Sequence, residues 1–259
     1  RTRVQFDPVN GTTIACRLFI SVYDAQDHLQ RLYADITTLQ LNTAAELSWR
    51  IPDTNGQPIA EVGIEIVGTD QAAGTLYLDW LGWDNKPQVT LKRGAGKLWQ
   101  RAWVEGIFRL RATADAPFHI TQNEGVGLLI HGSREWQDYQ VSAPITPHLG
   151  KSAGIAARVQ GMRRYYALIL RENGTAALIR ELDGTTTLAE VPFAWQFDTS
   201  YHLKLSVQGD HIRGAINDHW LFDLRDESNA LRSGGIALVL DEGCLSSGDV
   251  HIEALENDR

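Results

Sequence analysis

Cleaving a glycosidic bond takes two carboxylates facing each other across a cleft, roughly 5–10 Å apart according to mechanism. Asp138, Glu172, Glu181, Asp223 and Asp241 are the groups this chain offers for such work. Nothing in their spacing pairs two of them as an E-x-D-x-x-E strand motif would. Trp136-Gln137-Asp138 comes nearest, and its partner is absent. The histidines (His28, His119, His131, His148, His202, His211, His219 and His251) are scattered, mostly at strand ends. None has the H-E-x-x-H spacing that sets two ring nitrogens on one metal, so they read as single exposed histidines. Ser133 stands in His-Gly-Ser-Arg, which is not the Gly-x-Ser-x-Gly elbow of a serine hydrolase. Function must therefore be sought on a surface, which favours binding over catalysis.

The richest surface comes from Trp136 to Asn173, EWQDYQVSAPITPHLGKSAGIAARVQGMRRYYALILREN from Glu135. Successive side chains of a strand point to opposite faces, so each run sorts into an inner and an outer row. Tyr139 and Val141 fall inside, with Trp136, Asp138 and Gln140 outside. Ile155 and Val159 are inner and Arg158 outer. Tyr166, Leu168 and Leu170 are inner, leaving Tyr165 and Arg171 outside. Further on, His202 and Lys204 are outer against Leu203, Leu205 and Val207, and Arg213 and Asn217 are outer against Ile212 and Ile216. The candidate ligand-binding face is thus Trp136, Asp138, Arg158, Tyr165, Arg171, His202 and Lys204. Sugar hydroxyls are matched by planar multi-donor groups, and sugar C–H faces stack on aromatic rings. Antiparallel sheets also leave one face in water, and a solvated face is charged for that reason alone. An outward Trp136 and Tyr165 are less expected on a purely solvated face.

The elements that must carry these residues are strands almost throughout, because alternation replaces helical periodicity. TIACRLFISVY (Thr13 to Tyr23), ELSWRI (Glu46 to Ile51), IAEVGIEIV (Ile59 to Val67, with Ile64 and Ile66 on one face) and GTLYLDWLGW (Gly74 to Trp83) form a first set. Pro52-Asp53-Thr54-Asn55-Gly56 is a loop between them. From Gly125 short strands return, with tight turns at Asn173-Gly174 and Asp183-Gly184. Gly94-Ala95-Gly96 breaks the chain between the sets. Trp99 and Trp103, four apart, would share one face of a short helix in the connector. The expected fold class is all-β: two antiparallel β-sandwich (jelly-roll) domains joined by a short, partly helical connector, with boundaries at 1–92, 93–122 and 123–259.

The chain has 259 residues, 43% hydrophobic and 22% charged, enough for real cores. Its formal net charge of −8 argues against nucleic acid and anionic membrane as partners, since both require clustered Lys and Arg. No apolar run approaches the roughly 20 residues needed to span a bilayer, so a soluble protein is expected. The opening RTRVQFDPVN has no initiator Met and no apolar signal core, and reads as the start of a piece excised from something longer. The compartment is left open. Cys16 and Cys244 read as buried free thiols. The Asn-Gly-Thr sequons at Asn10 and Asn173 are short enough to arise by chance, and Asn-Gly is also hairpin chemistry.

GLLIHGSREWQDYQVSAPITP, the GIAARVQGMRRYYALIL pair, YHLKLSVQGDHIRGAIND and SGGIALVL together resemble concanavalin-like, laminin-G-like jelly rolls. The likeness is to the branch containing bacterial 3-keto-disaccharide hydrolase type domains. It covers residues 125 to 255, about half the chain, and includes Phe222-Asp223 as the Phe-x-Asp counterpart. The first part resembles a galactose-binding-like jelly roll through its Gly-Thr-Leu-Tyr-Leu-Asp-Trp-Leu-Gly-Trp ending, shortened at its N-terminus. That resemblance implies an acidic residue at Asp79 and, in some relatives, a structural calcium near it. No assembled set of oxygen ligands accompanies Asp79 in the sequence, and no other cofactor is implied. The tandem, with WQRAWVEGIFRL and ITQNEGVGLLIHG between its halves, also resembles the C-terminal accessory region of bacterial ADP-ribosylglycohydrolase-family proteins. That resemblance implies the non-catalytic half of such a protein. With the polar-aromatic outer row and the jelly-roll resemblance, the expected function is a carbohydrate-binding accessory region, with a carbohydrate or glycoconjugate and an upstream catalytic domain as partners. The alternatives are a 3-keto-disaccharide-type glycoside hydrolase, with Asp138, Arg158 and His202 near its site, and a structural region packed on a catalytic domain.

Overall fold

The computed structural model describes residues 1–9, 13–40, 42–68, 73–84, 86–113 and 116–255. The fold is an all-β, antiparallel jelly-roll sandwich architecture in two compact units. Unit 1 comprises Arg1–Asp84 and Gly94–Ala102; unit 2 comprises Asn85–Arg93 and Trp103–Arg259. The chain thus crosses between units more than once around residue 94. The Asn10 sequon lies outside the described residues.

Unit 1 contains β1 (Thr2–Pro8), β2 (Thr13–Tyr23), β3 (Leu29–Tyr33), β4 (Thr37–Gln40), β5 (Ala45–Leu47), β6 (Ile59–Val67) and β7 (Gly74–Leu81). They form a β5-β1-β7 sheet and a second sheet in which β2 is paired with β3, β4 and β6. The period-2 pattern of β2 buries Ile14, Cys16, Leu18, Ile20 and Val22. Val4, Phe6, Leu39 and Leu47 complete the core. The other face of β2 is polar: Arg17 pairs with Glu65 at 2.5 Å, and Ser21 donates to Glu61 at 2.7 Å. Ile64 packs on the core, whereas Ile66, expected beside it, is half exposed.

A 3-10 helix, Leu98–Ala102, belongs to unit 1. The Asp27 carboxylate accepts the N–H groups of Lys97 and Leu98 at 2.6 and 2.9 Å and so closes its open N-terminal end. The helix ends before Trp103. Trp99 and Trp103 therefore do not share a helix face: Trp99 is buried in unit 1, while Trp103 packs edge-on against Phe118 in unit 2.

Unit 2 contains β8 (Val89–Leu91), β9 (Val104–Gly106), β10 (Arg109–Arg111), β11 (Phe118–His131), β12 (Tyr139–Gly161), β13 (Arg164–Arg171), β14 (Thr175–Leu182) and β15 (Thr185–Pro192). It continues with β16 (Tyr201–Gln208), β17 (His211–Ile216), β18 (His219–Arg225), β19 (Gly235–Ser247) and β20 (Val250–Ala254). The backbone order is β10-β11-β19-β12-β13-β14-β15. The long β12 serves two layers. Its first half pairs with β16 and β20, and its second half with β13 and β19. Tyr139, Ile145, Ile155, Tyr166, Leu168, Leu170, Leu203, Leu205, Leu238 and Leu240 are fully or nearly fully buried.

Two irregular levels bend this sheet. At the first, β11 shifts register between Gln122 and Val126, and β12 between Pro147 and Leu149. Between them β19 carries Glu242 (φ 44°) and Gly243 (φ 138°). A Cβ on Gly243 would lie 2.0 Å from the Leu149 carbonyl oxygen, so only glycine lets the strands meet there. At the second level β12 shifts register after Ala156, where Arg158 takes φ 51°. An extra residue in a strand reverses which face the following side chains occupy.

Candidate functional site

The second irregularity decides the fate of Arg158, and with it the role of Asp138. Arg158 is expected outside but is turned inward and fully buried. Its Nε donates to the Gln137 carbonyl at 3.2 Å, its Nη1 to the carbonyls of Gly209 (2.5 Å) and Leu231 (2.6 Å), and its Nη2 to Asp138 at 3.3 Å. Burial lowers the guanidinium pKa, opposed by Tyr139, Asp138 and Tyr166. Asp138 also accepts the Gly209 N–H at 2.8 Å. The Arg158 N–H donates to the Tyr139 hydroxyl at 2.6 Å, and the single proton of that hydroxyl is shared between the Gly234 and Gly235 carbonyls at 2.9 and 2.7 Å. Trp136 is likewise buried, edge-on to Tyr139 and over Gly132, where a Cβ would meet its ring at 2.4 Å. Trp136 and Arg158 are internal ties between loops, and Asp138 completes them.

Tyr165 and Arg171 do meet on one face. With Val126, Lys151, Ser152, Ile169, Glu172, Asn173, Ile179, Glu181, Thr185, Val239 and Asp241 they line a groove of about 360 Å³. Its floor is apolar and deep: Tyr165, Ile169, Ile179 and Val239 lie in one layer with Ala156, Ala167, Ala177 and Ala237. Tyr165 is only 3% exposed, so it is part of the floor rather than the open stacking platform expected of it. Burial first, then the Glu181 and Asp241 charges, push its phenol up to about 12. It stays a neutral hydroxyl at any ordinary pH.

The rim is polar and tightly paired. Arg171 donates to Glu190 at 2.8 Å and to Thr187 at 3.0 Å. Lys151 pairs with Glu242 at 2.8 Å, which lowers the pKa of that carboxyl. Thr185 donates to Glu181 at 2.5 Å, and Asn173 is held by Thr175 at 2.7 Å. Asp241 is the exception. Burial raises its pKa, with Lys151 opposing and Glu242 and Glu172 adding to the rise. Three carboxylates (Glu172, Glu181 and Asp241) against two cations make the groove unfavourable to anions. Folding thus gathers three of the five carboxylates whose spacing in sequence paired none of them; Asp138 and Asp223 lie elsewhere.

His202 and Lys204 occupy a different place, on β16. The His202 N–H donates to Asn217 at 2.9 Å, and Lys204 pairs with Asp218 at 2.5 Å. Burial, Lys204 and His251 lower the His202 pKa, with Asp218 opposing. His202 stands near the start of β16, and the Asp138–Gly209 contact just past its end. At about 3.3 Å per residue they are about 20 Å apart, so Asp138, Arg158 and His202 do not form one site. Asp79 is exposed, and the partner at hand is the Arg3 guanidinium at 3.9 Å. Among the described residues no group of three or more His, Cys, Asp or Glu side chains is assembled for a metal. A cation beside a lone carboxylate does not fit calcium, which takes 6–8 oxygens.

A second cluster was missed entirely by sequence spacing. Ser246 Oγ lies 2.8 Å from His148 Nε2 and 2.9 Å from His119 Nδ1. His148 Nδ1 lies 2.6 Å from Asp198, and His119 Nε2 lies 3.1 Å from Cys244 Sγ. Cys16 is a buried free thiol, whereas Cys244 is free but half-buried. Among the described residues no helix is long and apolar enough to cross a membrane.

No protein-family model matches the chain, and no curated protein matches it. Solved structures do. The carbohydrate-binding module CBM66 from Bacillus subtilis aligns with a TM-score of 0.54 at 16% identity, over 59% of this chain and 96% of its own. A Bacillus subtilis protein of unknown function with a galectin-like fold aligns at 0.47 and 14% identity, over 61% of this chain and 92% of its own. The Caenorhabditis elegans galectin LEC-6 aligns at 0.35 and 14% identity, over 59% and 96%. The first of these shows a shared jelly-roll fold. Its share of this chain exceeds the whole of unit 1, so the likeness falls at least partly on unit 2.

Proposed function

We propose that unit 2 binds carbohydrate in the groove between β11 and β15. The observation that carries this reading is the groove itself: an apolar floor under a rim of Arg171, Lys151, Asn173, Ser152, Thr185 and three carboxylates. Neutral polyols suit such a site. Their hydroxyls donate to carboxylates and accept from Arg, Lys and Asn, and their C–H faces tolerate an apolar floor. The fold shared with a carbohydrate-binding module supports the reading. The resemblance of the tandem to an accessory region of ADP-ribosylglycohydrolase-family proteins supports a finer one, in which this region serves an upstream catalytic domain of a larger glycan-processing protein.

The test is binding of the whole chain to a broad glycan panel, followed by calorimetry on any ligand found. Arg171→Ala removes a charged hydrogen-bond donor worth about 1.5–3 kcal/mol, so affinity falls about 10- to 150-fold. Lys204→Ala, on β16, leaves affinity unchanged. Equal affinity of Arg171→Ala and the unaltered protein would refute the groove as the site.

A second reading, glycoside cleavage, is favoured by one observation: Asp241 is held above the usual aspartate range in a groove that also presents Glu172 and Glu181. A carboxyl raised in pKa, with further carboxyls in the same groove, is the arrangement a general acid requires. Turnover of a bound disaccharide that is abolished in Asp241→Asn would establish it. Binding without turnover leaves the groove a binding site.

A further inference from the structure

The structure assigns a nucleophilic serine to unit 2: we propose that Ser246, with His148 as its base and Asp198 orienting that base, forms a Ser-His-Asp site that cleaves esters of small carboxylic acids. The assignment does not depend on the groove. Ser246 is on β19, His148 in the irregular stretch of β12, and Asp198 in the loop before β16. The Ser246 Oγ to His148 Nε2 distance is 2.8 Å and the His148 Nδ1 to Asp198 distance 2.6 Å. These are the nucleophile–base and base–orienter contacts that define a triad by geometry rather than by sequence order. Asp198 is pinned in a left-handed conformation (φ 58°), with its N–H donated to the Pro147 carbonyl at 2.8 Å, next to the residue it orients.

The direction of each proton follows from one end. An ionised carboxylate only accepts, so His148 Nδ1 donates to Asp198 and its Nε2 is left as an acceptor. The Ser246 hydroxyl then donates to His148 Nε2. Its oxygen accepts the His119 Nδ1 proton, leaving a second lone pair for attack. His119 Nε2, in turn, accepts from the Cys244 thiol at 3.1 Å. Ser246 Oγ thus donates once, to His148, and accepts once, from His119. Arg111, which is exposed, stands opposite His119 in the β10–β11 ladder and adds a positive charge to this side of the sheet. The site is half-exposed, which suits a small acyl group such as acetyl.

In the reaction Ser246 Oγ bonds to the acyl carbon while its proton moves to His148 Nε2. The carbon–oxygen bond to the leaving alcohol breaks, and the alcohol takes that proton. Water then attacks the acyl-serine with His148 as base, which releases the carboxylic acid and restores Ser246. Ester and water become acid and alcohol, with no further reactant.

The experiment treats the full chain with p-nitrophenyl acetate, following nitrophenolate release and mapping acetyl groups by peptide mass. Acetyl assigned by fragment masses to Ser246 rather than to Cys244, and lost in Ser246→Ala, is expected. Asp198→Asn, a change in an exposed loop, slows acetylation about 10²- to 10⁴-fold at unchanged melting temperature, and Asp198→Glu restores part of the rate. Partial rescue distinguishes an orienting carboxylate from a merely structural one. Acetyl found on Cys244 or on lysines without Ser246, or acetylation of Asp198→Asn at the rate of the unaltered protein, would overturn the assignment.

Discussion

Replacing Arg158 by Met separates what holds unit 2 together from what its groove does. The methionine keeps an unbranched stem of similar reach but removes every donor. Three backbone carbonyls, those of Gln137, Gly209 and Leu231, lose partners at 2.5–3.2 Å, and Asp138 loses its cation. Arg158 is fully buried, and its partner carboxylate is largely so, with 26% of its side chain exposed. Breaking a buried ion pair from one side costs about 3–5 kcal/mol, because the remaining groups stay desolvated. At about 2–4 °C per kcal/mol for a unit of this size, the unit 2 transition falls by about 6–20 °C. Calorimetry on the whole chain resolves that transition, and glycan affinity measured well below it stays within about twofold of the original. A fall of less than about 3 °C would refute the account of Arg158 as an internal tie. Normal stability with lost binding would return Arg158 to the ligand face.

Gly132→Ala places a Cβ 2.4 Å from the Trp136 ring at φ 99°, and should destabilise unit 2 by about 1–3 kcal/mol in denaturant unfolding. Asp27→Ala removes two hydrogen bonds from the start of the 3-10 helix, at a cost of about 0.5–2 kcal/mol to unit 1, detectable by hydrogen exchange at Lys97 and Leu98. Asp241 titrates above the ordinary aspartate value, so the folded state binds more protons than the unfolded one, and stability falls as pH rises from that value through the folded pKa. Asp241→Asn should therefore raise the unit 2 melting temperature at neutral pH and leave it unchanged below the ordinary aspartate range. A melting series against pH reads both limbs.

Strand content, the antiparallel sandwich and most of the core were legible in the sequence, because burial on one face of a strand imposes a period of two. β2 shows it directly: Ile14, Cys16, Leu18, Ile20 and Val22 alternate in sequence and are buried in the fold. The same rule set Tyr166, Leu168 and Leu170 inside and Tyr165 and Arg171 on the opposite face. It fails at Arg158, where an added residue in β12 reverses the faces, and at Trp136, which precedes the strand and folds back over Gly132. Alternation also says nothing about depth, so Tyr165 could be assigned a face but not its burial.

What the sequence determined by itself was therefore local: which segments pair as strands and which side of each is apolar. Tertiary structure alone decided which outer residues share a site. Glu172, Glu181 and Asp241 reach one groove because β13, β14 and β19 lie in one curved sheet. His119, His148, Asp198, Cys244 and Ser246 span well over a hundred positions, yet they make one hydrogen-bonded chain. Strand order and the aligned bulges bring them together, and both are set by long-range pairing that no local spacing records.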